Sequence, residues 1–160
     1  MCENMAASKS FVTRITDAVY DRMRHKDAWD SAEAAPVKGF GALHGHKYAL
    51  LTTYRKNGTA VPSPVWFGLD DADRLYISTE AAAAKVHRIL NNPQVRVAPC
   101  DARGKPLGPP AEGIARVLPT DESGHADQAI AANYGRGRKI YEGFGHIMRV
   151  PTVYLELIAK

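Results

Sequence analysis

The stretch Lys47-YALLTTYRKNGTAVPSPVWFGLDDADRLYIST-Glu80 decides the fold. Its opening, KYALLTTYRK, is rich in residues that favour extended chain. Asn57-Gly58 then supplies a pair tolerant of positive φ, and TAVPSPVWFGL resumes the extended pattern, which predicts a β-hairpin. Asp70 to Asp73 forms a second turn signal. In the RLYISTE that follows, Leu75 and Ile77 alternate with Tyr76 and Ser78, the period of a third strand.

Downstream, AAAAKVHRILNNP places Val86, Ile89 and Leu90 on one helical face and ends on Asn-Pro, predicting a helix of about three turns. QVRVAPC reads as a strand with Val95 and Val97 inward, DARGKPLGPP as a loop, and AEGIARVLP as another strand. Thr120 or Asp121 is placed to cap a helix running through Ala126, Ile130 and Tyr134 to Gly135, and TVYLELIA closes the sheet. Upstream, Phe11, Ile15, Val19 and Met23 recur every fourth position, an amphipathic helix starting near Ser10. Residues 27–46 mix Ala, Gly and Pro36 with charges and no sustained period, so they read mostly as linker. Hairpin-joined strands with an inserted short helix describe an antiparallel barrel of the α+β class, mainly β. The expected division is an N-terminal helix and linker over residues 1–46 and a barrel domain over 47–160.

A chain of 160 residues is long enough for one substantial core and short for two ordinary domains. Cys2 and Cys100 are its only cysteines, which argues against a disulfide-stapled secreted fold and for a reducing cytoplasm. No apolar run approaches the roughly 20 residues of a membrane helix, and MCENMAASKSFVTR lacks the apolar core of a signal peptide. The formal charge of +4 favours an anionic ligand without indicating nucleic acid. The basic run Arg136-Gly-Arg138-Lys139 is too short, and too poor in aromatics, to read as a nucleic-acid surface.

Two places carry candidate chemistry. Ser78-Thr79-Glu80 leads into a helix whose first turn has free amide donors, with Lys85 and Arg88 further along one face. Two readings fit it: a phosphate-holding corner, or hydroxyls that merely cap the helix beside solvated cations. Pro62 and Pro64 remove amides from a strand and so mark an edge or a bulge. Ser63 and the carbonyls around Val65 can bond a heterocycle there while Trp66 offers a flat wall, or the prolines simply protect the edge. The six histidines lack the spacing of a zinc site, and Gly39 to Gly45 does not match a dinucleotide fingerprint. With no nucleophile-base arrangement in view, any chemistry belongs to a cofactor.

From Lys47 to Leu118 the sequence resembles the pyridoxamine 5'-phosphate oxidase-like split β-barrel family. Within it, the TT-x-R hairpin ending in PVW and the later APCD-x-RG resemble the actinobacterial deazaflavin-dependent oxidoreductases. The resemblance implies a cytoplasmic homodimer with coenzyme F420, or alternatively FMN, between its subunits. It implies the ring near Pro62, Ser63, Pro64, Val65 and Trp66, and the phosphate near Ser78, Thr79, Lys85 and Arg88. The implied activity is hydride transfer to an unsaturated small molecule; a pyridoxamine phosphate oxidase-like FMN enzyme and a coenzyme- or haem-storage protein are the alternatives. Some relatives carry a second cation where this chain has Ala83, so one phosphate contact is either missing or supplied elsewhere, with Arg88 and Arg55 as the candidates to compensate.

Overall fold

Among the described residues, one antiparallel sheet of seven strands runs in the order β2-β1-β5-β6-β7-β4-β3. The strands are β1 (Tyr48–Tyr54), β2 (Ala60–Trp66), β3 (Gly68–Leu69), β4 (Leu75–Glu80), β5 (Gln94–Cys100), β6 (Ala111–Val117) and β7 (Thr152–Ala159). The computed structural model describes residues 22–134 and 151–160. The sheet curls until β2 meets β4 across an opening that no hydrogen-bonded ladder closes. This is a split β-barrel.

Alternation along the strands builds the barrel. Ala49, Leu51, Val65, Leu75, Ile77, Val95, Val97, Leu155 and Leu157 point inward and are buried together. Each large aliphatic side chain withdrawn from water in this way contributes about 1.5–3 kcal/mol before entropy is counted. The outer faces are covered separately. The 3-10 turn Lys26–Trp29 and the short helix α1 (Asp30–Glu33) lie over the β2 side, where Ala28 packs with Leu50, Ala98 and Cys100. Helix α3 (Ser123–Tyr134) covers the β4 side, where Ala126, Ala129 and Ile130 pack with Tyr76 and Leu118. Between β4 and β5 stands helix α2 (Ala84–Asn91), whose Ile89 joins the barrel core.

The hairpin forms as its residues dictate. Gly58 takes φ 86°, the Gly58 amide donates to the Arg55 carbonyl, and Asn57 Oδ1 accepts from the Thr59 amide at 3.0 Å. Three expectations are revised. The run TAVPSPVWFGL is two strands, with β2 paired to β1 and β3 paired to β4. The change of partner falls at Gly68, where a Cβ would lie 2.3 Å from the Ala129 backbone, so α3 sits directly on the chain. Helix α2 begins at Ala84 and not with the first alanine, because the Ala81 amide donates to Pro151 O at 2.8 Å and prolongs the β4–β7 edge.

The third revision concerns residues 27–46. Besides α1 they hold the 3-10 turn Gly41–Leu43, and they send Phe40 and Leu43 into the barrel core. Of the helix expected from Ser10, Arg22, Met23 and Arg24 fall within the described residues; the first two are helical and Arg24 lies in a bend. The basic run 136–139 lies outside them.

Candidate functional site

Where the β1–β2 turn meets α2, Tyr54, Arg55 and Lys56 face Ala84, His87, Arg88 and Asn91 across a groove of about 290 Å³. The helical members recur three and four residues apart, the spacing of one face. Arg55, Lys56 and Arg88 therefore line one concavity. Arg88 is held in place: its Nε donates to Thr53 Oγ1 at 2.6 Å, and Thr53 is completely buried. The N-cap of α2 is Ala83, with no side-chain capping bond and no acidic residue in the first turn.

The capping reading of Ser78 and Thr79 is thereby set aside. Both lie in β4, paired with Tyr154 and Val153. Lys85 is half-buried and next to Ala84, while the groove-lining face of α2 is Ala84, His87, Arg88 and Asn91. Arg55, expected to substitute for the cation missing at Ala83, shares the groove with Arg88. Lys56 and His87 were not singled out from the sequence. The signal available was their position, one in the hairpin turn and one a residue before Arg88.

Pro62 to Trp66 lie in β2, the edge strand beside the opening. The register pairs Ser63 with Leu51, flanked by Pro62 opposite Thr52 and Pro64 opposite Leu50. A ladder that tolerates prolines at alternate positions turns their missing amides away from β1, so the outward edge offers carbonyl acceptors there and no donors. Pro62 and Val65 are buried, and Pro64 is in reach of the Gly104 loop. Across the opening, β3 pairs only with Leu75 and Tyr76, which leaves the Ile77–Glu80 edge of β4 without a strand partner among the described residues. Ser63 Oγ and Thr52 Oγ1 are buried without a hydrogen-bond partner among the described residues. A buried hydroxyl in that state costs about 1–3 kcal/mol and marks a place that a water or a ligand atom completes.

Trp66 is not a free wall. Tyr134 stacks on it with ring centroids 4.4 Å apart, and Tyr48 meets it edge-on at 6.0 Å. The Tyr134 hydroxyl accepts from the Phe67 amide at 2.9 Å and donates to the Lys47 carbonyl, clamping the end of α3 onto β1 and β2. Two other groups are strongly shifted. Burial, with Asp70 and Glu156 nearby, pushes the Tyr76 hydroxyl up to about 12, and burial does the same to the Cys100 thiol. Neither lines the groove.

The family described as pyridoxamine 5'-phosphate oxidase matches residues 39–148, more than half of the chain. The protein belongs to the pyridoxamine 5'-phosphate oxidase family. No curated protein matches the sequence. Among solved structures, an F420 reductase superposes with TM-score 0.51 at 18% identity, covering 79% of this chain and 96% of that one. A FAD-binding protein from Mesorhizobium loti gives 0.53 at 18%, covering 74% and 83%. The haem storage protein of Vibrio cholerae gives 0.55 at 16%, covering 72% and 83%. At such identities the likeness is one of fold, and the ligands in those names belong to the neighbours.

Proposed function

We propose that the protein is a cytoplasmic oxidoreductase that uses reduced coenzyme F420 to transfer hydride to an unsaturated small molecule. The observation that carries this reading is the convergence of Arg55, Lys56 and Arg88 on one groove between the β1–β2 turn and α2. In it, Arg88 and Arg55 hold a phosphate, with Lys85 adding positive charge from the same helix. Pro62, Ser63, Pro64, Val65 and Trp66 border the ring, and Ser78 and Thr79 border the opening from β4.

The residues present fit such a coenzyme. The outward carbonyls of Pro62 and Pro64 accept from a heterocyclic N–H, the unpartnered Ser63 hydroxyl offers a further bond, and the cations balance phosphate charge. When bound, the deazaflavin supplies the hydride chemistry. The chain's own contribution is positioning: the cations fix the anionic end, and the β2 edge fixes the ring orientation. A groove of about 290 Å³ is at the small end for a site enclosing a whole coenzyme. The reading therefore includes a second copy that completes the site.

Titration with F420, FMN and haem, followed by fluorescence and visible absorbance, tests the proposal. The expected result is saturable F420 binding, with reduced F420 reoxidised on addition of an enone. Binding of FMN or haem in preference to F420 overturns the coenzyme assignment, and tight F420 binding without turnover overturns the enzyme.

A further inference from the structure

The contact between Thr53 and Arg88 joins two elements that the chain separates by 35 residues. Thr53 is on β1, on the same face as Ala49 and Leu51, and its side chain is fully buried. Arg88 comes from α2 and lines the groove. Its Nε is the guanidinium nitrogen nearest the stem, so a bond from Nε to a fixed acceptor restrains the plane of the whole group. The distance, 2.6 Å, is at the short end for a bond with a charged donor. A threonine anchored in a strand interior is a rigid acceptor, whereas a surface partner would move with the arginine.

We propose that Thr53 is the positioning residue of the groove: it sets the Arg88 guanidinium in the orientation that receives a phosphate-type anion. The inference deepens the proposed function and rests on that groove being an anion site, whichever phosphorylated coenzyme occupies it. Arg55 and Lys56, by contrast, reach the groove from an exposed turn. Binding of a phosphate group there is favoured by an arm whose orientation is set beforehand, because ordering three long side chains at once costs conformational entropy.

Thr53→Val keeps the shape and removes the acceptor; Thr53→Ser restores it. Inorganic pyrophosphate and F420 are titrated separately by calorimetry against the wild-type protein and both variants, with thermal unfolding as the check on the fold. The expected result is affinity about tenfold lower for Thr53→Val, from loss of one charge-assisted bond, and Thr53→Ser within about twofold of wild type. Equal affinity of wild type and Thr53→Val, or Thr53→Ser as weak as Thr53→Val, overturns the inference. Pyrophosphate binding that follows this pattern while F420 does not bind supports it and overturns only the coenzyme assignment. Failure of the wild-type protein to bind either anion overturns both. If Thr53→Val does not fold, the Arg88 Nε–H resonance of the wild-type protein decides. Slow exchange and a shift on adding pyrophosphate support the inference, and a fast-exchanging or unresponsive resonance overturns it.

Discussion

Tyr76 donates its hydroxyl to Glu156 Oε2 at 3.1 Å across their β4–β7 register pair, beneath helix α3. Glu156 is only 4% exposed, and its other oxygen accepts from Arg116 Nε at 2.8 Å. Asp70 Oδ2 stands 3.2 Å from the same hydroxyl and 3.0 Å from His125 Nε2. Three strands and a helix are thus pinned by one polar cluster, whose carboxylates each need their donors because water cannot replace them. Tyr76→Phe removes the donor and leaves the ring. The expected loss is about 1–3 kcal/mol in urea unfolding, with the fold otherwise intact.

Alkaline pH is expected to weaken the fold through Tyr76 and Cys100. Both titrate higher in the folded state, at about 12, than their ordinary values of 10.0 and 9.0. The folded protein therefore holds protons that the unfolded chain releases, and stability is complete below pH 9 and falls as pH rises toward 12. Unfolding followed across that range should show a shallower decline in Cys100→Ala and in Tyr76→Phe. A decline as steep as that of the wild type in both variants sinks the assignment.

Acid acts through Asp70 with the opposite sign. Burial alone raises its pKa, but hydrogen bonds from His125, the Arg74 amide, Tyr76 and the Ala72 amide outweigh burial and hold it below 3.8. A depressed folded value gives stability that is present above the unfolded value and lost as pH falls through the folded one. Asp70→Asn should lose stability at neutral pH and show a weaker acid slope below about pH 4, by thermal melts from pH 2 to 7.

Gly68 admits no side chain. The atoms a Cβ would meet at 2.3 Å are Ala129 backbone, which cannot rotate away, so α3 must shift as a body. Gly68→Ala is expected to cost about 3 kcal/mol, against little for Gly41→Ala, where nothing lies within 4 Å. Comparable melting temperatures in the two variants would contradict the packing.

The barrel was legible because its information is local. Asn57-Gly58 turns the chain, and Leu75 with Ile77, like Val95 with Val97, recurs at every second position, the period of a face turned to the core. What escaped depended on contacts distant in sequence. Nothing around Gly68 announces that α3 will lie on it from some 60 residues away. Phe40 and Leu43 sit among glycines with no period to reveal that they seal the core. Ala81 looks helical until Pro151 takes its amide. At the site, Lys85 and Arg88 were visible as cations on one helix, and Arg55 as their possible complement. That Arg88 turns to buried Thr53, and that Tyr134 stacks on Trp66, follows from how the barrel closes.

The cations around α2 differ in placement, and that difference is measurable. Arg55 and Arg88 line the groove, whereas Lys85 sits one residue past groove-lining Ala84. If the groove holds the phosphate, Arg55→Ala and Arg88→Ala each lower coenzyme affinity by about 1.5–3 kcal/mol, the range of a charge-assisted contact. Lys85→Ala then acts through the local field alone, and most of its effect disappears at 0.5 M salt, where screening is strong at distances beyond a few ångströms. If Lys85 is instead a direct ligand, its loss costs as much as that of Arg88 and persists in salt. Fluorescence titration of the three variants at low and high ionic strength separates these cases, and a Lys85→Ala deficit insensitive to salt would move the phosphate from the groove to the β4–α2 corner.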